Sequence, residues 1–333
     1  MKLVNNIKKN TILLLGITLV ILYILLKDDW KQIVKAFENI DIRYVILSLL
    51  FFFASISLKG YANYKITNDK EKISLKEAIK HNLIAQFFNG ITPFSTGGQP
   101  MEIYMIKEHN ISIAKATNQT IQSFIFYQIA LVICGILAVT YNFIFHLFPK
   151  VKLLQNLVLL GFLINVGVAV VLILISNSRK MTNNLCTLAK KVSHRLKLKV
   201  TDEDLEEKFD DFYEGFQEMK KRKGLLTSGI LLNIASLLCL YVTPFFILYS
   251  MSNNYSLTIP QTLASSAYVY IVGSFVPIPG ASGGIEYSFT QFFGNFIGLD
   301  MISAVLIIWR FITYYLGIIL GAILFNIEKK VTK

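Results

Sequence analysis

The sequence predicts an all-α, polytopic integral membrane protein with about six full spans and two further apolar segments interrupted by proline and glycine. Of its 333 residues, 54% are hydrophobic and only 16% are charged, and the mean hydropathy is +0.53. A soluble domain rarely reaches this balance. Apolar stretches recur along the whole chain, so we interpret residues 1–333 as a single membrane domain.

A spanning helix needs roughly 20 mainly apolar residues. Six stretches fit this description: about 11–26, 42–58, 118–145, 155–176, 225–250 and 302–325. The first follows Lys8 and Lys9, as the apolar part of a signal peptide would, but no small-residue cleavage site comes after it. We therefore expect an uncleaved first helix.

The distribution of basic residues predicts the orientation. Residues 59–80 contain six lysines and residues 177–224 contain twelve lysines and arginines, whereas residues 251–261 contain neither. Loops rich in Lys and Arg stay on the cytoplasmic side of a membrane. We expect a multi-pass protein of the cell membrane with both termini in the cytoplasm, and a cytoplasmic loop at 101–115 carrying Lys107.

Two apolar regions, about 81–100 and 262–297, carry the breaks. Proline stops regular helix, and glycine permits tight turns. Non-helical backbone at membrane depth survives only where protein or a water-filled cavity satisfies its polar groups. We expect re-entrant hairpins or pairs of half-helices that enter from opposite faces, an arrangement typical of the inverted repeats of transporters.

The first break is dense in polar groups, and Glu102 follows it. Its predicted structural breaks are Pro93 and Pro100, and its predicted site residues are Thr92, Ser95, Thr96, Gly97, Gly98 and Gln99. Exposed amides in such a segment could bind a phosphate as an anion nest. The alternative is a rigid turn whose hydroxyl groups only satisfy freed backbone groups.

The second break has the same combination of proline, glycine and polar residues, and an acidic residue follows it. Its predicted structural breaks are Pro277, Pro279 and Gly280, and its predicted site residues are Ser282, Gly283, Gly284 and Glu286. Arg310 lies in the last span, well away from either end. An intramembrane arginine is a functional hypothesis by default. It could bind a lipid phosphate through two hydrogen bonds, or it could pair with Glu286 or Glu102 structurally.

Residues 177–224 form the one sizeable polar insert, which we expect in the cytoplasm. Residues 178–200 are basic, as expected beside an anionic leaflet, and 202–223 predict an amphipathic helix. Thr201 and Asp204 fit a capping box. The apolar face of this helix, expected to pack on the membrane domain, contains Leu205, Phe209, Phe212, Phe216 and Met219.

Known catalytic and cofactor patterns are missing from the sequence. We find no phosphate-binding glycine loop, no zinc spacing and no nucleophile–base pair, and we predict no catalytic residue, metal or cofactor. No nucleic-acid-binding module is visible either, so no nucleic acid partner is expected. The four histidines, which we interpret as interfacial residues near span ends, are His81, His109, His146 and His194.

The two breaks also carry a family resemblance. The runs Thr92–Pro100 and Pro277–Glu286 resemble those of the membrane region of lysylphosphatidylglycerol synthases, over roughly residues 10–325. The resemblance implies a flippase-like region that moves aminoacylated phosphatidylglycerol between leaflets. The soluble aminoacyltransferase domain of the bifunctional family members is not visible in this sequence.

From the breaks and the resemblance we expect translocation of a phospholipid or lipid-linked headgroup between leaflets. The expected partners are anionic or aminoacylated phospholipids, together with a separate lipid-modifying enzyme. Two alternatives stay open. One is a phosphatidylglycerol lysyltransferase that uses lysyl-tRNA, and the other is a non-transporting scaffold for envelope assembly.

Overall fold

A computed structural model describes residues 40–67, 73–147, 152–196, 200–251 and 256–331, and these ranges are helical apart from short turns. The predicted first span at 11–26 lies outside the described residues, as does its interpretation as an uncleaved helix.

The described helices, in chain order, are α1 (Ile42–Ile66), α2 (Leu75–Gly90), α3 (Gly98–Glu108), α4 (Ile113–Phe145), α5 (Lys152–Asn177), α6 (Arg179–Arg195), α7 (Asp202–Lys221), α8 (Lys223–Tyr241), α9 (Thr243–Met251), α10 (Ile259–Gly273), α11 (Gly284–Phe293), α12 (Leu299–Arg310) and α13 (Leu316–Val331). A 3-10 turn lies in each break: the first break turn (Pro93–Ser95) and the second break turn (Pro279–Ala281). A π-helical turn (Phe311–Tyr315) joins α12 to α13.

Within the described ranges, five helical stretches are long and apolar enough to cross a membrane: Ile42–Ile66, Ile113–Phe145, Leu153–Asn177, Gly224–Met251 and Met301–Glu328. They coincide with the five predicted spans in this part of the chain. The predicted all-α, polytopic membrane fold is therefore confirmed.

Each break separates two short helices. Helices α2 and α3 have 16 and 11 residues, and α10 and α11 have 15 and 10, all too few to span a bilayer alone. The prediction of a loop at 101–115 was wrong over most of its length, because α3 continues to Glu108. Pro100 is not a break either. It lies in the first turn of α3, where a helix tolerates proline.

The two break turns pack against each other and share a backbone conformation. Each begins with proline, and the two residues that follow have left-handed backbone. These are Phe94 and Ser95 at φ 53° in the first turn, and Gly280 at 65° and Ala281 at 51° in the second. The sequences align as Pro-Phe-Ser-Thr-Gly-Gly and Pro-Gly-Ala-Ser-Gly-Gly. This short repeat between the two halves was not recognised from the sequence.

Helices α6 and α7 make up most of the insert and pair through their charges. Arg179 contacts Asp210 at 2.7 Å, and Lys190 pairs with Glu206. The basic residues of α6 were expected to face an anionic membrane surface, and acidic residues of α7 neutralise part of their charge. Such exposed pairs contribute at most about 1 kcal/mol each.

Helix α7 packs on the membrane domain through its apolar face. It begins with the predicted capping box of Thr201 and Asp204. Phe216 and Met219 are buried in a cluster that includes Phe126 of α4. The predicted contact between the amphipathic helix and the membrane domain is therefore present.

Close backbone approach sets the position of α2 beside α1. Gly60 of α1 lies so near α2 that a Cβ atom at this position would stand 2.7 Å from the Cα atom of Ile79. This contact places the first break and its flanking helices directly against the end of the first described span.

We predict that Gly60→Ala lowers the thermal unfolding midpoint of the purified protein, because the added methyl group must push two helix backbones apart. Overpacking of this kind costs about 1–3 kcal/mol. Gly167→Ala in α5 is the matched control, since a Cβ atom added there would have no neighbouring atom within 4 Å. Equal midpoints for the two variants would contradict the predicted contact.

Candidate functional site

A cavity of about 440 Å³ is lined by the two break turns and by helices that include α1, α2, α3, α4, α5, α10 and α12. This volume is within the range of small-molecule binding sites. Its wall contains many polar and charged side chains: Lys59, Gln86, Asn89, Ser95, Thr96, Gln99, Glu102, Thr120, Ser123, Tyr127, Gln128, Asn165, Tyr270, Ser274, Arg310, Thr313 and Tyr314. So many hydrogen-bonding groups in an apolar chain indicate a polar ligand.

The rim of the cavity is apolar and exposed. Phe94, Ile164 and Val168 line the cavity, and their exposed fractions are 55%, 41% and 37%. Ile164 and Val168 lie on α5, whose side chains include many other exposed apolar residues. The cavity thus joins a polar interior to a surface suited to hydrocarbon.

Lys59 and Glu102 bring formal charge into the cavity wall. The Nζ atom of Lys59 lies 4.7 Å from the ring centroid of Tyr127, a cation–π contact. Among the residues that the structure describes, no carboxylate lies within 4.0 Å of this amine. Glu102 accepts a hydrogen bond from Asn63 Nδ2 at 3.3 Å. The ammonium group of Lys59 therefore forms no direct ion pair within the described chain.

Arg310 forms a buried ion pair with Glu286, and their side chains are only 3% and 5% exposed. Arg310 Nε donates to Glu286 Oε1 at 2.7 Å, and Nη2 donates to the carbonyl of Gly280 at 3.0 Å. The other carboxylate oxygen accepts from the amide of Gly283 at 2.6 Å. The pair thereby satisfies two backbone groups that the second break frees from helical hydrogen bonding.

Tyr314 connects this pair to the first break. Its ring centroid lies 4.5 Å from Arg310 Cζ, and its hydroxyl donates to the carbonyl of Gly90 at 2.9 Å. A Cβ atom at Gly280 would stand 2.0 Å from that hydroxyl oxygen, so only glycine fits there. π-helical turns of this kind occur frequently at functional sites, and this one places Tyr314 between the two breaks.

The amides of the first break are already used inside the protein. The amide of Gly97 donates to Thr92 Oγ1 at 2.8 Å, and that of Gly98 donates to Asn89 Oδ1 at 2.7 Å. Thr92 Oγ1 in turn donates to the carbonyl of Phe88 at 2.8 Å. The predicted anion nest is therefore not free at these glycines, and Thr92 satisfies freed backbone groups as the alternative interpretation expected.

Comparison with known proteins agrees with this architecture. Residues 11–321 match the family described as the lysylphosphatidylglycerol synthase TM region. The chain belongs to this family. The resemblance inferred from the two breaks is thereby confirmed, and a lipid-related membrane function is supported.

Two relatives are similar over most of their length. A UPF0104 membrane protein of Archaeoglobus fulgidus is 22% identical, covering 90% of this chain and 87% of the relative. The Mycoplasma genitalium protein named Uncharacterized protein MG306 is 23% identical, covering 90% of this chain and 81% of the relative. The similarity thus extends through the membrane helices and is not confined to the two breaks.

The structure brings together about half of the predicted site residues. Those that line the cavity are Ser95, Thr96, Gly98, Gln99, Glu102 and Arg310, together with Gly280, which was predicted as a structural break. The rest of the predicted set lies outside the described lining: Thr92, Gly97, Ser282, Gly283, Gly284 and Glu286. Several of these residues hold the breaks in shape, as the hydrogen bonds of Thr92, Gly97, Gly283 and Glu286 show.

Sequence reasoning missed Lys59, which it used only as an orientation signal at the start of 59–80. The structure places it inside α1, one helical turn before Asn63. Ser55, Lys59 and Asn63 recur every four residues, and this spacing could have predicted a polar face on a helix that continues past Lys59. Sequence reasoning also missed Asn165, which accepts from Gln128 and donates to Ser274, each at 2.7 Å, in the cavity wall.

We predict that Arg310→Met destabilises the protein by about 3–5 kcal/mol, because removing one partner leaves the other charge buried and unpaired. The double variant Arg310→Met/Glu286→Gln regains most of this loss, since both charges are gone and the glutamine still accepts from the Gly283 amide. Thermal unfolding in detergent measures both. A double variant less stable than either single variant would contradict a role for the charges themselves.

Proposed function

We propose that this protein translocates a phospholipid headgroup between membrane leaflets, with the headgroup in the cavity and the acyl chains at its rim. The observation that carries the proposal is the junction of a polar, charged cavity with exposed apolar side chains at Phe94, Ile164 and Val168. An amphipathic ligand fits both parts. Membership of a lysylphosphatidylglycerol synthase family supports a lipid as that ligand.

Lys59 is the group best placed to bind the lipid phosphate. It lines the cavity, and its amine rests on the ring of Tyr127, which does not neutralise it. Hydrogen bonds to charged groups contribute about 1.5–3 kcal/mol. Arg310 is paired with Glu286, so we propose that it holds the second break in shape. We propose Lys59 as the primary contact of the lipid phosphate.

The proposed substrates are phosphatidylglycerol and its aminoacylated form. Both carry a phosphate that Lys59 could bind, and the aminoacylated form adds an ammonium group for which Glu102 in the same cavity is a suitable partner. A separate lipid-modifying enzyme would then supply the aminoacylated lipid. Without a polar path, moving such a headgroup through hydrocarbon would cost many kcal/mol.

The orientation is part of the proposal and follows the basic residues. The insert and the ends of α2 and α3 nearest Lys80 and Lys107 face the cytoplasm. A cysteine introduced at Ser178 that reacts with an impermeant maleimide from outside intact cells would contradict this orientation.

We predict that Lys59→Gln slows leaflet exchange of fluorescent phosphatidylglycerol in proteoliposomes by about 10- to 100-fold. This range corresponds to the loss of one charge-assisted contact of about 1.5–3 kcal/mol. The assay measures the fraction of lipid that an impermeant reductant can reach over time. Lysylphosphatidylglycerol is assayed in parallel, because both lipids carry the phosphate.

Lys65→Gln is the matched control for this experiment. Lys65 lies on the same helix and makes the same kind of contact, with its Nζ atom 5.4 Å from the ring centroid of Tyr61, but it does not line the cavity. Equal loss in the two variants would point to a general effect of helix charge. If the unmodified protein exchanges neither lipid between leaflets, the proposed function is contradicted.

A further inference from the structure

A second, much smaller cavity lies directly beside the first. Its volume is about 30 Å³, and residues on or next to α1, α2, α3 and α4 line it. Glu102, Thr120 and Ser123 line both cavities, so Glu102 stands in the wall between them. The far side of the small cavity includes His81.

His81 is buried and has a ring nitrogen without a described partner. The residue is 5% exposed, and its Nε2 atom makes no hydrogen bond to any residue in the described ranges. The hydroxyl of Thr120, which lines the same cavity, is also buried and makes no hydrogen bond to any residue in the described ranges. A buried polar group of this kind is costly unless water satisfies it, and the cavity has polar walls and room for a water molecule.

From His81 a second histidine leads toward the surface. The ring centroids of His81 and His109 are 5.3 Å apart, and His109 is half-buried at the end of α3. The two rings therefore contact each other, which the interpretation of the histidines as interfacial residues near span ends did not include. Burial lowers the pKa of His81 to about 4, so its ring is neutral near pH 7 and passes a proton by accepting one at one ring nitrogen and releasing one from the other.

We propose that Glu102 takes up and releases a proton during each translocation cycle of phosphatidylglycerol, and that the proton passes through water in the small cavity, His81 and His109 to the cytoplasmic side. This inference rests on the proposed function and adds a protonation step to it; because the proton enters and leaves by the same path, no net proton crosses the membrane. Glu102 gains the proton when it becomes neutral and returns it to the same path when it ionises again.

The charges around the path give the direction of coupling. Burial raises the pKa of Glu102, and the positive charge of Lys59 of α1 opposes that rise, with Tyr127 of α4 beside the lysine. A bound phosphate competes for Lys59, so the carboxylate loses this stabilisation and takes up a proton. Binding of an anionic headgroup and uptake of a proton therefore favour each other, as linkage requires.

The other titratable groups that face the histidines are Glu77 and Lys80 of α2. Lys80 pairs with Glu328 of α13 at 2.6 Å, and Glu77 is held by the capping box at Ser74. These groups lie at the surface end of the path, where they set the local field but do not separate His81 from Glu102.

The test measures proton uptake by the purified full chain in weakly buffered detergent solution when short-chain phosphatidylglycerol is added. A pH-indicator dye in stopped flow follows both the extent and the rate. We expect the unmodified protein to take up about one proton per lipid bound. Glu102→Gln abolishes the uptake, while His81→Asn leaves its extent intact and slows it at least about tenfold.

His146→Asn is the matched control, because His146 ends α4 at left-handed backbone with φ 50°, which asparagine tolerates, and lies outside both cavities. His81→Gln and His109→Asn provide second variants should His81→Asn fail to fold. Lipid binding without proton uptake would overturn the inference, as would unchanged uptake in Glu102→Gln or an unchanged rate in every folded histidine variant.

Leaflet exchange separates this inference from the proposed function. In proteoliposomes with the same pH on both sides of the membrane, we expect the exchange rate of the unmodified protein to change with pH and that of Glu102→Gln to be independent of pH. Exchange that is independent of pH in both proteins would refute the protonation of Glu102 while leaving the proposed translocation intact. Absence of exchange under every condition would refute the proposed function and this inference together.

Discussion

Backbone polar groups that leave a helix inside an apolar environment need partners, and this requirement governs both breaks. In the second break, Arg310 and Glu286 supply those partners by binding the carbonyl of Gly280 and the amide of Gly283. In the first, Thr92 and Asn89 do the same with neutral groups. The non-helical turns can exist in this position because these side chains replace the missing helical hydrogen bonds.

The cavity forms where the two break turns, whose backbone polar groups have side-chain partners, pack against each other. Because each break separates short helices, the two break turns come into contact and leave space between the longer helices. Tyr314 reaches both breaks from the π-helical turn, and the carbonyl of Thr313 that this turn displaces accepts from Gln86 at 3.3 Å. Movement of either break would therefore disturb the cavity wall, which gives a physical route from headgroup binding to a change in shape.

Much of the fold could be predicted from the sequence because hydropathy and proline–glycine clusters are local signals. They located five described spans, both breaks and the amphipathic helix with its cap at Thr201. The pairing of Glu286 with Arg310 was one of the predicted alternatives, since an intramembrane acid and base seek each other.

The rest of the site depends on contacts between distant parts of the chain. Lys59 follows an apolar run directly, so its sequence looks like a loop boundary, and only the continuation of α1 places it in the cavity. The contact of His81 with His109 requires α2 and α3 to fold back on each other. Hydrogen bonding at Gly97 and Gly98 likewise depends on Asn89 and Thr92 in three dimensions.

Photo-labelling with two phosphatidylglycerol probes tests the central claim, headgroup binding in the cavity, most directly. One probe carries a diazirine on the headgroup and the other carries it at the end of an acyl chain, and labelled peptides are mapped by mass spectrometry. The account predicts headgroup labelling at cavity residues such as Gln99 and Tyr127, and acyl-chain labelling on the exposed face of α5 that includes Leu163. Headgroup labelling confined to the outer surface, with none in the cavity, would contradict it.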